Sequence, residues 1–435
     1  MKFAVVNLGC KVNRVESDEA CAWMRAHGWE ETEPADAALI VVNTCTVTGE
    51  ADRKTRKAVN RAIACANATR IVVTGCSASL NAEYYASLDA RVEVVPKAQL
   101  LERLAQISDK EAQDVPPTLL RVGDGFNTRI GVKVQDGCAH ACTYCIVHVA
   151  RGLPWSKPAS AVRDEVRAHV RAGVREVVLT GINLGSYRDG ETNLAELLSS
   201  LLGVMREEDA NVEPGQEARL RLSSIEPMDV DARLIQLLAN AEGRICRHLH
   251  LPVQSGSTKV LREMERPYTA EDFLALVERL RSAVPSIALS TDIIAGFPGE
   301  TTDDFAQSVQ LCRKAGFMRM HVFAYSRREG TPAAARADQI SPEEKAQRAA
   351  VLRELARELC DEDLAQRCGT TERALVMPEN IALTESYHEM HLDARACANA
   401  RACSNAHAAS NARAASDARA CSDARPNTFI AYRFA

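Results

Sequence analysis

Residues 130–145 read IGVKVQDGCAHACTYC, and this stretch decides the fold. It opens as an apolar strand over 130–135 and passes through Asp136-Gly137 into a loop carrying Cys138, Cys142 and Cys145 in the spacing C-x3-C-x2-C. One short loop of this kind aims three thiolates at three irons of a [4Fe-4S] cubane. The fourth iron is then free to chelate the amino and carboxylate groups of S-adenosylmethionine. An electron from the cluster can break the sulfonium bond and release a 5′-deoxyadenosyl radical. His140 inside the loop leaves a zinc set, Cys138-His140-Cys142-Cys145, as the alternative.

Downstream, strand patterns at 176–179, 219–222, 248–251, 287–294 and 320–324 alternate with helical ones. With 130–135 they make six βα units, which predicts a partial (β/α)6 barrel rather than a closed eight-stranded one. Ligand groups collect at the carboxyl ends of such strands. Those ends carry Thr180-Gly181-Ile182-Asn183, Ser223-Ser224-Ile225-Glu226, Pro252-Val253-Gln254-Ser255-Gly256 and Gly296-Phe297-Pro298-Gly299-Glu300. Gly181, Asn183, Ser224, Glu226 and Gln254 are the candidate contacts to S-adenosylmethionine. Tyr144, just before the last cysteine, is a candidate to pack on its adenine. The competing reading is a plain strand-to-helix turn at each site and an ordinary loop aromatic at 144.

Upstream, three β-branched runs each finish on a cysteine. They are 2–8 before Gly9-Cys10, 39–42 before Asn43-Thr44-Cys45, and 71–73 before Thr74-Gly75-Cys76. Helical patterns at 16–28 and 50–65 separate them, so the first third reads as a Rossmann-like parallel sheet with right-handed crossovers. Cys10, Cys45 and Cys76 then share one sheet edge and can converge on a metal. Three buried core thiols are the alternative, and Cys21 and Cys65, inside the helical patterns, fit that alternative better. A structural zinc would want a fourth ligand, whereas three thiolates suit a cluster with one iron open.

Fifteen cysteines are many for a chain with no secretory leader at its start, because stable disulfides are not expected in the cytosol. The cytoplasm is therefore the expected location. No apolar run reaches the roughly 18 residues that span a bilayer. A net charge of −5 gives no global signal for nucleic acid. A local one exists, since Arg53, Lys54, Arg56, Lys57 and Arg61 crowd one helical stretch beside Cys45. A solvated basic helix face is the competing reading.

Over roughly residues 1–365 the chain resembles the radical S-adenosylmethionine methylthiotransferases. The residues that carry the resemblance are LGCKVN (8–13), NTCTVT (43–48), the QDGC…CTYCIV loop, ARG (150–152) and LTGINLGSY (179–187). They look most like the branch that modifies N6-threonylcarbamoyladenosine beside the tRNA anticodon. The branches acting on isopentenyladenosine, or on an aspartate of a ribosomal protein, are the alternatives within the family. A non-catalytic metal-binding protein is the alternative outside it.

The resemblance implies two [4Fe-4S] clusters. Cys138, Cys142 and Cys145 would hold the radical cluster, and Cys10, Cys45 and Cys76 an auxiliary cluster that carries the sulfur to be transferred. One S-adenosylmethionine would methylate that sulfur, and a second would yield the radical that takes hydrogen from C2 of the adenine. No catalytic side chain is assigned beyond the cluster ligands. A flavodoxin- or ferredoxin-like electron donor, a sulfur source, a tRNA substrate and a monomeric enzyme with no membrane partner complete the expectation.

The expected domains are 1–110 for the auxiliary cluster, a linker at 111–125, a radical domain at 126–365 and a tail at 366–435. The tail resembles a degenerate small β domain of the TRAM kind, with 373–377 and 383–392 as its opening strands. It is interrupted at 394–423 by five imperfect hexads: ARACAN, ARACSN, AHAASN, ARAASD and ARACSD. Their period matches neither helix nor heptad, and they lack large apolar groups for a core. Cys397, Cys403 and Cys421 recur with the hexad and read as products of repeat expansion. The last stretch, 427–435, reads as a strand that cannot complete a barrel alone.

Overall fold

The computed structural model describes residues 1–108, 128–392 and 426–434. The linker at 111–125 and the hexads at 394–423, with Cys397, Cys403 and Cys421, lie outside the described residues.

The first sheet is parallel. Strands β1 (Lys2–Asn7), β2 (Leu39–Thr44) and β3 (Arg70–Gly75) run side by side, with short edge strands Glu30–Glu31 and Val92–Val94 outside them. Strand side chains alternate between faces, and β2 uses both. Leu39 and Val41 pack with Trp23, Met24 and Leu104 on one side. Ile40 and Val42 pack with Val59, Ala62 and Tyr85 on the other. Helix α1 (Lys11–Ala26) thus covers one face and α2 (Gly49–Ile63) the other. Two boundaries differ from expectation. Helix α1 begins at Lys11 rather than 16, and Cys65 lies just past the end of α2, where its Sγ hydrogen-bonds the Arg61 carbonyl at 3.3 Å.

Six parallel strands follow, as the βα count requires. They are β4 (Arg129–Lys133), β5 (Glu176–Thr180), β6 (Arg219–Leu222), β7 (His248–His250), β8 (Ala288–Ala295) and β9 (Arg319–Ala324). Hydrogen bonding joins β4-β5-β6 and β7-β8-β9, and parallel bridges at Leu220–Ile245 and Ser224–His250 link the two halves. Several covering helices are held by reciprocal caps, as at Asn193/Glu196, Thr269/Asp272 and Thr301/Asp304. Helix α1 lies along β4, close enough that Val15 abuts Gly131.

The long helix α3 (Pro342–Arg367) leads to a four-stranded antiparallel sheet in the order β12-β11-β10-β13. Its strands are β10 (Thr371–Met377), β11 (Ile381–Leu383), β12 (Glu389–His391) and β13 (Phe429–Arg433). Residues 383–392 are therefore not one strand. Thr384 Oγ1 accepts from the His388 amide and Tyr387 takes φ 73°, which turns the chain back on itself. The last stretch pairs with β10 along its length. This sheet caps the amino ends of the barrel strands: the Arg219 and Arg221 guanidiniums, paired with fully buried Glu176, donate to the carbonyls of Arg373, Leu383, Thr384 and Glu385. Burial would raise the Glu176 carboxyl, but these two cations and Arg129 hold it far below its usual range.

Candidate active site between two cysteine sets

Cys10, Cys45 and Cys76 follow β1, β2 and β3 directly, so one sheet edge presents all three. Glycine makes their approach possible. A Cβ on Gly9 would lie 2.9 Å from the Cys45 Sγ, and one on Gly75 would lie 2.4 Å from the Thr44 carbonyl. Gly75 also has φ 100°, which L side chains rarely adopt. Asn13 ties the loops together by donating to the Leu8 and Thr44 carbonyls, both at 2.9 Å. Cys45 and Cys76 are buried and Cys10 is exposed. Burial pushes the Cys45 thiol up, and the neighbouring Cys10 and Cys76 add to it. Lys97 Nζ stands 3.4 Å from the Cys76 Sγ.

The second set sits beyond β4. Cys138 donates its amide to the Gly152 carbonyl at 3.3 Å, which folds the loop back on the ARG motif. The His140 amide donates to Cys138 Sγ at 3.4 Å, and the Val147 amide to Cys145 Sγ at 3.3 Å. Burial raises the Cys138 thiol and pushes that of Cys145 up to about 11. Arg266, which nothing in its local sequence marks, reaches Cys142 Sγ at 3.4 Å and Glu226 Oε1 at 3.3 Å. It also donates to the Tyr268 hydroxyl at 3.0 Å.

The other expected contacts lie where strand ends meet. Gly181 leaves no room for a Cβ, which would fall 2.9 Å from Gln135 Oε1. The Asn183 amide donates to that same oxygen at 2.9 Å. Asn183 Oδ1 and the nearby Asp229 Oδ2 are buried acceptors with no hydrogen-bond partner among the described residues. Ser224 bridges β6 to β7 at His250. Gln254 holds φ 66°, a costly state for a side chain other than glycine. Tyr144 packs with Val260, Met264, Phe297 and Tyr325.

A buried polar chain joins the two sets. Arg151 donates to Glu16 Oε1 at 3.1 Å, Asp136 Oδ1 at 2.8 Å and Asn13 Oδ1 at 2.5 Å. Glu16 also pairs with Lys97 and Lys133. From Cys76 through Lys97, Glu16, Arg151 and Asp136 the chain arrives two residues before Cys138. A second seam forms where Arg328 meets Thr46 and Asp52 at 2.6 and 2.5 Å. The two cysteine-bearing edges therefore face one another.

The donor sets fit clusters better than single ions. Around one zinc, thiolates at about 2.3 Å from the metal would crowd within about 4 Å of each other. Among the described residues, the single group of three such ligands with atoms all within 4.8 Å of one another is His250, Asp292 and His321. Neither cysteine set, with or without His140, closes so far. Their wider spacing, with amide and cationic donors aimed at sulfur, suits an iron–sulfur cubane.

Residues 132–312 match the radical SAM superfamily, and residues 2–96 match the uncharacterized protein family UPF0004. The threonylcarbamoyladenosine tRNA methylthiotransferase of Thermotoga maritima is 35% identical over 365 residues, covering 82% of each chain. That of Bacillus subtilis is 35% identical over 376 residues, covering 82% of this chain and 81% of its own. The tRNA-2-methylthio-N(6)-dimethylallyladenosine synthase of Geobacillus thermodenitrificans is 32% identical over 399 residues, covering 87% and 74%. Among solved structures, the radical S-adenosylmethionine methyltransferase TsrM from Kitasatospora setae shares the fold, with TM-score 0.57, 17% identity and 77% of each chain covered. The chain belongs to the radical S-adenosylmethionine tRNA methylthiotransferases.

Proposed function

We propose that this enzyme transfers a methylthio group to C2 of N6-threonylcarbamoyladenosine beside the tRNA anticodon, with two S-adenosylmethionine and two [4Fe-4S] clusters. Cys138, Cys142 and Cys145 hold one cluster, and Cys10, Cys45 and Cys76 the other. The observation that carries the reading is the pair of three-thiol edges set face to face across the buried Arg151 network. Among the relatives, the three at 35% identity bear the threonylcarbamoyladenosine name. The isopentenyl-type substrate is the second reading, supported by the relatives at 32–34% identity that are named dimethylallyladenosine synthases.

When bound, the clusters and S-adenosylmethionine supply the radical and the sulfur. The chain's own residues do the rest. Arg266 fixes Glu226 beside Cys142 and so holds a carboxylate at the mouth of the barrel. Asn183 Oδ1 and Asp229 Oδ2 offer unpartnered acceptors for an amino group or ribose hydroxyls. Gly181 lets the backbone approach, and Gln254 and Ser224 continue the rim. Arg53, Lys54, Arg56, Lys57 and Arg61 of α2 are exposed next to the Cys45 edge, where RNA phosphates would pass. The domain limits that go with this reading are 1–110, a linker at 111–125, 126–365 and 366–435, and the cytoplasm is the expected place of work.

Iron and sulfide content after anaerobic reconstitution tests this. About eight irons in the wild type and about four in each of Cys45→Ala and Cys142→Ala are expected. About four in the wild type, lost in Cys142→Ala alone, would leave a simple radical enzyme with no sulfur site. Mass spectrometry of treated tRNA then separates the two substrates.

A further inference from the structure

The lumen of the barrel holds a charged floor that cluster binding does not use. Arg319, His321 and Phe323 share one face of β9. His321 is exposed and Phe323 is 38% exposed, so the described side chains do not fill this space. His321 stands opposite Asp292 of β8, and the His250 Nε2 lies 3.3 Å from the Asp292 Oδ1. Below them the Tyr387 ring has Lys11 at 5.1 Å, Arg319 at 5.3 Å, Arg221 at 4.6 Å and Arg129 at 5.9 Å.

Arg221 and Arg129 share Glu176, at 2.8 and 3.8 Å. Lys11 and Arg319 have no carboxylate within ion-pair distance among the described residues. A histidine–carboxylate–histidine trio would by itself suit a divalent cation. Here the two uncompensated cations repel one. The potential is visible in the neighbours: burial and nearby cations hold His248 well below its usual range, and the cations lower the Tyr387 phenol although burial would raise it. This floor favours an anion.

We propose that Lys11 and Arg319 bind the carboxylate of the threonylcarbamoyl group while the purine stacks on Phe323, an assignment that rests on the substrate reading above. The vertical spacing fits. Successive inward residues on a strand are about 6.6 Å apart. A purine at Phe323, with C2 toward the Cys142 end, spans roughly one step, and its N6 substituent passes His321 to reach Arg319. An isopentenyl group has no charge to place there.

The test uses the reconstituted holoenzyme and fluorescent anticodon stem-loops carrying N6-threonylcarbamoyladenosine or its methyl ester. Wild type is expected to bind the acid about tenfold or more tightly than the ester at fixed salt. Arg319→Gln should abolish that preference and Arg319→Lys should keep most of it, with iron content and melting temperature as controls. Should Arg319→Gln fail to fold, Lys11→Met takes its place. Equal binding of acid and ester by wild type, or equal weakening of both by Arg319→Gln, overturns the floor. If the acid RNA is still methylthiolated while acid and ester bind alike, the substrate reading stands and the floor falls. If product forms only on isopentenyladenosine RNA while the acid preference persists, the substrate reading falls and the floor stands.

Discussion

Burial lifts the Glu19 carboxyl on α1 to about 7. Lys133 and Lys157 oppose the shift, while Glu165 and Glu16 add to it. In the unfolded chain the same group ionises near 4.5. Between those values the unfolded state gives up a proton that the folded state keeps. The stabilisation is whole below pH about 4.5 and is lost as pH rises through about 7. Glu19→Gln removes this cost, so at pH 8 the variant should be more stable than wild type by up to about 3 kcal/mol. Below pH 4.5 the two should converge. Urea unfolding at the two pH values checks this, and an equal difference at both would refute it. The same scale shows what local sequence withholds. The six cysteines stand out by spacing and strand position. Arg266 and Lys97, which touch their sulfurs, are single basic residues, one in a loop and one opening a short 3-10 helix. Arg151 was visible inside the ARG motif, but its bonds to Asn13 and Glu16 span more than 130 residues and leave no local trace.

At the scale of elements, the contact between α1 and β4 decides how the two cysteine edges meet. A methyl on Gly131 would fall 2.3 Å from the Val15 Cγ2. Valine is stiff at χ1 and cannot swing clear. Gly131→Ala should therefore cost about 1–3 kcal/mol, and adding Val15→Ala should recover much of it. A double-mutant cycle measures the coupling, and simple additivity would mean that helix and strand do not abut. The barrel strands were legible because each is a short run carrying apolar residues between helical patterns. The start of α1 was not, since its N-cap is Cys10 and makes no side-chain cap hydrogen bond. Residues 383–392 read as one strand because the turn within them contains no glycine. It depends on positive φ at Tyr387 and on hydroxyl bonds from Thr384, which sequence does not announce.

For the whole molecule, the cysteine edges lie at the carboxyl ends of the strands and the C-terminal sheet closes the amino ends. The two ends meet at one point, where Lys11 beside Cys10 lies over the Tyr387 ring of that sheet. Phe429 is the keystone of the closed end: its ring lies 4.7 Å from the Arg219 guanidinium and 4.4 Å from that of Arg373. Its backbone exchanges two hydrogen bonds with Gln216, each of 2.8 Å. The value of this strand was hidden in the sequence because its partner β10 lies more than fifty residues back, across the hexads. Phe429→Ala removes a ring that is 5% exposed and uncovers the Arg219 guanidinium bound to buried Glu176, so it should cost about 3 kcal/mol or more. Iron and sulfide content per folded chain should stay at the wild-type value, because Phe429 contacts Arg219, Arg373 and Gln216 and none of the six cysteines is among these partners. Thermal unfolding and iron analysis of the same sample read the two quantities together. A variant that lost iron in step with stability would show that the closed end also shapes the cysteine edges, and that the molecule folds as one unit from floor to mouth.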